Sequence, residues 1–188
     1  MQRTDVLRLA LVATLGVASA TPAASALEGG ETPASVESSA PGELRGVRLA
    51  DLWSDLEARD IDGRAWTGAD FEDRVVLVEF WGTWCAPCLA DFPHIERARA
   101  AYADRGLVIL SVSLDRSSRR RLRSFGRRQG ITWPVLFDGL GAAGAVARRF
   151  QVEYPPRSLL FDREGRLVAL DPRGEMLGAA LRVLFAAE

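Results

Sequence analysis

The sequence predicts an α/β fold in which a mixed central sheet is flanked by helices on both faces. Residues 75–81 and 107–114 form short apolar runs rich in β-branched side chains, which is typical of buried strands. Between them, residues 90–102 carry apolar side chains at helical spacing. A strand–helix–strand unit of this kind places its two strands parallel, joined by a right-handed crossover. Helices packed on both faces then complete a compact α/β sandwich.

The elements around the first long strand follow from turn residues and spacing. Residues 49–57 predict a short helix or an irregular lead-in. Residues 58–66 predict a hairpin of two short strands around Asp62-Gly63. Gly106 ends the helix that lies between the two long strands.

More helices and strands are expected after the second long strand. The apolar spacing predicts helices at three places: 118–129, 142–150 and 175–186. Residues 133–137 predict a brief strand or extended segment. Residues 159–162 and 167–169 predict two strands joined by a turn at Glu164-Gly165, and this pair adds antiparallel strands to the sheet.

The N-terminus has the pattern of a leader followed by a linker. Residues 1–26 combine a positively charged start, an apolar stretch and small residues, which predicts a secretory signal peptide cleaved after Ala26 in preference to Ala20. An uncleaved membrane anchor is the alternative, but the apolar stretch of about 12 residues is shorter than the ~20 that span a bilayer. Residues 27–45 predict a flexible linker, and residues 46–188 the folded domain. We therefore expect a periplasmic or other extracytoplasmic protein.

Charge and composition exclude some functions. The chain has 188 residues and a formal net charge of −1, so nothing indicates nucleic-acid binding or a membrane-binding surface for the protein as a whole. Residues 116–128 are rich in arginine. We interpret this run as the solvated face of a helix whose Leu122 and Phe125 point inward. Docking of an acidic partner or of anionic headgroups is the alternative.

The chain contains two cysteines, Cys85 and Cys88, and both lie where a strand ends and a helix begins. Free N–H groups and the helix dipole favour an anion there, so we expect the pKa of Cys85 to be lowered and its reactive thiolate favoured. A structural zinc site would need two more ligands, and the chain offers one histidine, His94. A purely structural disulfide closing so short a loop would restrict the unfolded chain little. The pair therefore predicts a redox site.

Several segments then follow one another in a recognisable order. They are the strand 75–80, Trp81-Gly82-Thr83-Trp84-Cys85-Ala86-Pro87-Cys88 with Phe92-Pro93, Ser111-Val112-Ser113-Leu114-Asp115, Trp133-Pro134-Val135-Leu136-Phe137-Asp138, and Tyr154-Pro155-Pro156-Arg157-Ser158-Leu159-Leu160-Phe161-Asp162 with Gly165. This order resembles the thioredoxin superfamily, and most closely its exported branch of TlpA and ResA type. The resemblance covers about residues 58–185.

The resemblance implies a thioredoxin-like fold and a thiol-disulfide oxidoreductase. Its redox group would be the Cys85–Cys88 disulfide, with no further cofactor and no metal. The partners it implies are a protein disulfide substrate, such as apocytochrome c or another exported protein, and a membrane thiol that donates electrons. We expect the protein to act as a monomer.

Pro156 is a candidate catalytic residue, and Pro155 and Trp84 are candidates for binding substrate. In the family a cis-proline faces the cysteines, and the matching residue is Pro156. The backbone beside it can pair with a substrate peptide as an added strand. Here Pro155 precedes it and has no N–H, so this residue offers a substrate only its carbonyl. Trp84 is expected to be exposed and to frame the substrate groove, whereas Trp81 is expected in the core.

Two carboxyl groups are candidates for moving protons. Glu79 lies in the predicted buried strand, where thioredoxins place an acid beneath the disulfide, and burial should raise its pKa and suit it to exchange a proton with Cys88. Asp91 matches an acid that the ResA-like branch places near its cysteines. It lies one helical turn after Cys88, and a solvated position on the helix is its alternative.

Three other functions remain open. A disulfide oxidase would use the same cysteines in the opposite direction. A thiol peroxidase would require a threonine where this chain has Gly82. A copper-delivery module would recruit His94 together with the two cysteines.

Overall fold

The computed structural model describes residues 46–186. The predicted signal peptide (1–26) and the predicted linker (27–45) both lie outside the described residues. Within the described part the predicted α/β architecture is confirmed. None of its helices is long and apolar enough to cross a membrane.

A five-stranded mixed sheet forms the centre of the domain. In chain order its strands are β3 (Val75–Trp81), β4 (Leu107–Ser113), β5 (Val135–Leu136), β6 (Arg157–Phe161) and β7 (Leu167–Leu170), and across the sheet they run β5-β4-β3-β6-β7. The central strand β3 pairs in parallel with β4 and antiparallel with β6. The predicted hairpin is present as β1 (Ala58–Arg59) and β2 (Ala65–Trp66), which pair antiparallel in a separate small sheet.

The helices lie on both faces of the sheet, as predicted. They are α1 (Leu49–Trp53), α2 (Ala86–Tyr102), α3 (Arg119–Gln129), α4 (Ala145–Arg149) and α5 (Glu175–Ala186). One core cluster contains buried side chains of α1 and α4, and the other contains those of α2, α3 and α5. The second cluster includes both cysteines, so the redox pair is built into the hydrophobic core.

The predicted helix over 142–150 is shorter than expected. Residues Gly141–Ala143 form a 3₁₀ turn, and α4 begins only at Ala145. Between them Gly144 is extended, with φ −64° and ψ 154°. The carboxylate of Asp138 occupies the space where a side chain on Gly144 would begin, so the fold requires glycine here, which periodicity does not reveal.

The arginine-rich helix α3 is amphipathic, as interpreted from the sequence. Leu122 is buried and Phe125 half-buried, on the face that packs against the core. Two arginines reach the β1–β2 hairpin: Arg119 donates to the carbonyl of Asp60 at 2.6 Å, and Arg123 pairs with Asp62 at 3.1 Å. The remaining arginines of the helix are exposed.

Candidate active site

Cys85 and Cys88 form a disulfide at the start of α2. Cys85 is the N-cap residue of the helix, and its Sγ accepts a hydrogen bond from the backbone N–H of Cys88 at 3.3 Å. Pro87 occupies the first turn, where its missing N–H leaves no bond unmade. Both cysteines are buried. The Cys88 N–H at this helix end is directed at the sulfur of Cys85, so together with the helix dipole it favours a thiolate once the disulfide is reduced.

The loop that leads into Cys85 is anchored to the end of β4. The N–H and the hydroxyl of Thr83 donate to the carboxylate of Asp115, at 2.9 and 2.6 Å. Ser113 donates to the same carboxylate at 2.8 Å. Asp115 is buried, and sequence reasoning assigned it no role. The signal that was present is an acid just after a buried strand, beside the end of the strand that leads to the cysteines.

Glu79 is buried in the central strand, as predicted. Burial raises the pKa of Glu79 to about 7, opposed by a hydrogen bond from Ser111, and the charge of Asp91 raises it further. The Ser111 hydroxyl donates to Oε1 of Glu79, and the indole N–H of Trp133 donates to the Ser111 oxygen at 2.6 Å. A carboxyl group that titrates near neutral pH is suited to take up and release protons. Neither Ser111 nor Trp133 was singled out for such a role from the sequence.

A small cavity brings the predicted residues together. Its walls include Glu79, Cys88, Asp91 and Pro156, and its volume is about 20 Å³. A space of this size holds about one water molecule. Glu79 and Cys88 therefore face a common cavity, although they belong to different elements, β3 and α2. Their predicted catalytic roles stay predictions.

Asp91 has a structural contact that the sequence did not indicate. Its carboxylate accepts a hydrogen bond from the backbone N–H of Gly174 at 3.0 Å, directly before α5. This bond ties α2 to the start of the C-terminal helix. Asp91 also borders the cavity with Glu79, so its predicted part in proton transfer remains a prediction.

The predicted substrate-binding residues lie at the rim of the site. The Pro155–Pro156 bond is cis, and Pro156 borders the cavity beside Cys88. Trp84 is 61% exposed, whereas Trp81 is fully buried, as predicted. Tyr154, which precedes the two prolines, is 78% exposed and was not predicted as a site residue. The catalytic role of Pro156 and the part that Trp84 and Pro155 play in substrate binding remain predictions.

Gly82 has a steric reason to be glycine. A Cβ at this position would lie 2.8 Å from the indole ring of Trp84. A threonine, which the peroxidase alternative requires here, would displace that ring.

His94 lies on α2 beside the cavity and is partly exposed. Its Nδ1 is 2.7 Å from Arg97 and 3.6 Å from Glu175. Across residues 46–186, no group of three or more His, Cys, Asp and Glu side chains is placed to hold a metal ion.

Comparisons with known proteins agree on one kind of protein. The model of the AhpC/TSA family matches residues 49–170. The thiol-disulfide oxidoreductase ResA of Geobacillus thermodenitrificans is 27% identical over 125 residues, which cover 66% of this chain and 70% of the relative. ResA of Bacillus cereus is 27% identical over 109 residues, which cover 58% of this chain and 61% of the relative, so the match spans less than two thirds of that protein.

Solved structures show the same similarity in three dimensions. The thioredoxin domain of a thiol-disulfide oxidoreductase from Bacteroides vulgatus superimposes with a TM-score of 0.61 at 25% identity, covering 69% of this chain and 92% of that one. A thiol:disulfide interchange protein from a Bacteroides species gives a TM-score of 0.60 at 25% identity, covering 68% of this chain and 84% of that one.

Proposed function

Because the chain belongs to the AhpC/TSA family and has a thioredoxin-like fold, we propose that Cys85 and Cys88 reduce disulfide bonds in protein substrates. The relatives also confirm the predicted enzyme class, a thioredoxin-like thiol-disulfide oxidoreductase. One observation carries the proposal: Cys85 caps α2 and is bonded to Cys88, beside a cavity that Cys88 shares with the buried acid Glu79.

In the first step the Cys85 thiolate attacks one sulfur of a substrate disulfide. The substrate S–S bond breaks, and one substrate sulfur leaves as a thiolate and takes up a proton. The other becomes bound to Cys85 in a mixed disulfide. The N–H groups at the start of α2 stabilise the attacking thiolate, and the exposed ring of Trp84 supports binding of the substrate around it.

In the second step Cys88 attacks the sulfur of Cys85. The mixed disulfide breaks, the second substrate thiol is released, and the Cys85–Cys88 disulfide forms, so two electrons have passed from the enzyme to the substrate. The Cys88 thiol loses a proton as it attacks. Glu79 accepts that proton, because it borders the same cavity and its pKa, raised by burial to about 7, lets it change charge near neutral pH.

The biological setting is part of the proposal. A signal peptide over residues 1–26 would deliver the protein to an extracytoplasmic compartment, where disulfides persist. A dithiol carrier in the membrane would return the enzyme to its reduced form. Substrates would be exported proteins with a disulfide, such as an apocytochrome c whose two haem-binding cysteines are oxidised.

Trapping of the mixed disulfide tests the mechanism. The probe is a synthetic peptide with an oxidised Cys-x-x-Cys-His segment, the haem-attachment motif of c-type cytochromes. The reduced Cys88→Ser protein should accumulate a covalent adduct that dithiothreitol releases, because Cys88 is missing for the second step. The matched Cys85→Ser protein should form none, since the thiol that caps α2 and makes the first attack is missing. Equal adducts from both variants would contradict the assigned order of the cysteines.

The reduction potential tests the direction of electron flow. A value near or below that of thioredoxin, roughly −270 mV, is expected for a reductase. A value near that of DsbA, roughly −120 mV, would instead make the protein a disulfide oxidase.

A further inference from the structure

The central strand places Glu79 between two serines. In the sheet register Ser111 of β4 and Ser158 of β6 are both direct partners of Glu79, so all three side chains point to the same face. All three are buried. The two serines are not equivalent. Ser111 donates to Oε1 of Glu79, whereas the Ser158 hydroxyl has no hydrogen-bond partner among residues 46–186.

The polarity of the Ser111 bond is set by Trp133. An indole N–H is a donor and never an acceptor, so the contact of 2.6 Å makes the Ser111 oxygen the acceptor. The hydroxyl hydrogen of Ser111 is then directed at Glu79. A carboxyl oxygen that accepts this bond cannot at the same time present its own hydrogen along it. The proton of a neutral Glu79 therefore belongs on Oε2.

The indole ring of Trp133 is held in place by the helix that carries Cys88. Phe92 of α2 packs edge-on against it, with ring centroids 5.6 Å apart and planes at 84°. Phe92 makes the same kind of contact with Trp81, at 5.1 Å and 80°. Because these rings are buried and interlocked, the N–H of Trp133 keeps its direction.

We propose that Ser111, oriented by Trp133, is a positioning residue that holds Oε1 of Glu79 as a permanent acceptor and leaves Oε2 to exchange the proton. This inference rests on the proposed function, in which Glu79 serves Cys88. A donor fixed on one oxygen also favours the charged form of the carboxyl group, so it opposes the effect of burial.

Other titratable and charged side chains also border the same cavity. They are Asp91 and His94 on α2, Arg157 on β6, and Arg173 before α5. Arg157 is paired with Asp171 at 2.9 Å. Substitutions at Ser111 or Trp133 alter none of them.

The test is the titration of the Glu79 carboxyl group in the oxidised protein. Its carbon resonance in glutamate-labelled protein is identified by comparison with Glu79→Gln and followed with pH by NMR. Ser111→Ala should raise the pKa of Glu79 by about 1–2, the value of one hydrogen bond to a charged group. Trp133→Phe should raise it less, because the hydrogen bond of Trp133 lowers the pKa of Glu79 less than that of Ser111 does, and the Ser111 hydroxyl remains. Ser111→Thr keeps the hydroxyl and should leave the pKa within a few tenths.

Ser158→Ala is the matched control, because it deletes an equally buried hydroxyl from the other side of the same residue. It should leave the pKa of Glu79 in place. Equal titrations for Ser111→Ala and Ser158→Ala would overturn the inference, and so would a lowered pKa in Ser111→Ala. If Ser111→Ala folds poorly, Trp133→Phe tests the same chain of hydrogen bonds without changing a residue of β4.

A second measurement separates this inference from the proposed function. The rate of single-turnover disulfide reduction is followed against pH in the same variants. If the apparent pKa of this rate profile shifts together with the pKa of Glu79 measured by NMR, the inference and the proposed function are both supported. If the pKa measured by NMR shifts and the rate profile does not, the positioning by Ser111 stands and the role of Glu79 in catalysis fails.

Discussion

Thr83 and Asp115 are joined by two hydrogen bonds, from the N–H of Thr83 at 2.9 Å and from its hydroxyl at 2.6 Å. The pair connects the loop before Cys85 to Asp115, which lies two residues after the end of β4. Since Cys85 caps α2, the position of this loop also determines how the cysteine sulfur meets the first turn of the helix.

Asp115→Asn should therefore weaken both the fold and the site. An amide has one oxygen instead of two, so the buried carboxylate loses an acceptor and its charge, at a cost of about 1–3 kcal/mol in the free energy of unfolding. Urea denaturation of the oxidised protein measures this. Glu153→Gln, at an exposed position, is the control and should change nothing. Equal stabilities of the two variants would contradict the anchoring role of Asp115.

Glu79 should make the stability of the protein fall as pH rises through neutrality. Burial raises its pKa from 4.5 to about 7, so the folded state holds a proton that the unfolded state has lost. Its contribution is complete below about pH 4.5 and is lost as the pH rises through 7. The difference corresponds to about 3 kcal/mol.

Glu79→Gln tests this, because the amide is neutral at every pH. The stability of the wild type relative to the variant should fall between pH 5 and 8, as measured by urea denaturation across that range. Glu153→Gln should keep the slope of the wild type. Parallel pH curves for the wild type and Glu79→Gln would show that the buried carboxyl does not titrate in this range.

The parts of the fold that sequence predicts well are those set by local pattern. The strand Val75–Trp81 and the helix Glu175–Ala186 have the predicted ends, because a continuous apolar run and a clear helical stripe depend on neighbouring residues alone. The helix over 142–150 is interrupted at the extended Gly144, where Asp138 approaches closely, and this approach exists only in the folded chain.

The candidate site also has parts that local sequence predicts and parts that arise only in the folded chain. The two cysteines stand in one short segment with the start of α2, and the buried acid Glu79 lies just before them in the sequence, on β3. The partners of Glu79 lie far from it in the sequence. Ser111 comes from β4 and meets Glu79 through the register of the sheet, and Trp133 comes from just before β5 and donates to Ser111. No local pattern distinguishes such a serine from any other polar residue in a strand.

Trp84→Ala should weaken binding of protein substrates while leaving the chemistry of the cysteines intact. The ring is 61% exposed beside the disulfide, so its loss removes contact area for a peptide. We expect KM for the oxidised peptide to rise several-fold, with kcat and the reaction with oxidised glutathione little changed. Val183→Ala, at a 72% exposed apolar position on α5, is the control. A fall in kcat at constant KM would place Trp84 in the chemical step instead.

Pro155→Ala should bind peptide substrates more tightly. Pro155 lies next to the cavity residue Pro156 and presents no N–H, so a substrate strand beside it finds only a carbonyl acceptor. Alanine restores the donor, and one added hydrogen bond of about 1 kcal/mol would lower KM roughly five-fold. Pro155→Gly restores the same N–H and should lower KM in the same direction, which separates the donor from the added methyl group. If KM rises in both variants, the shape of the proline ring matters more to the substrate than the missing donor.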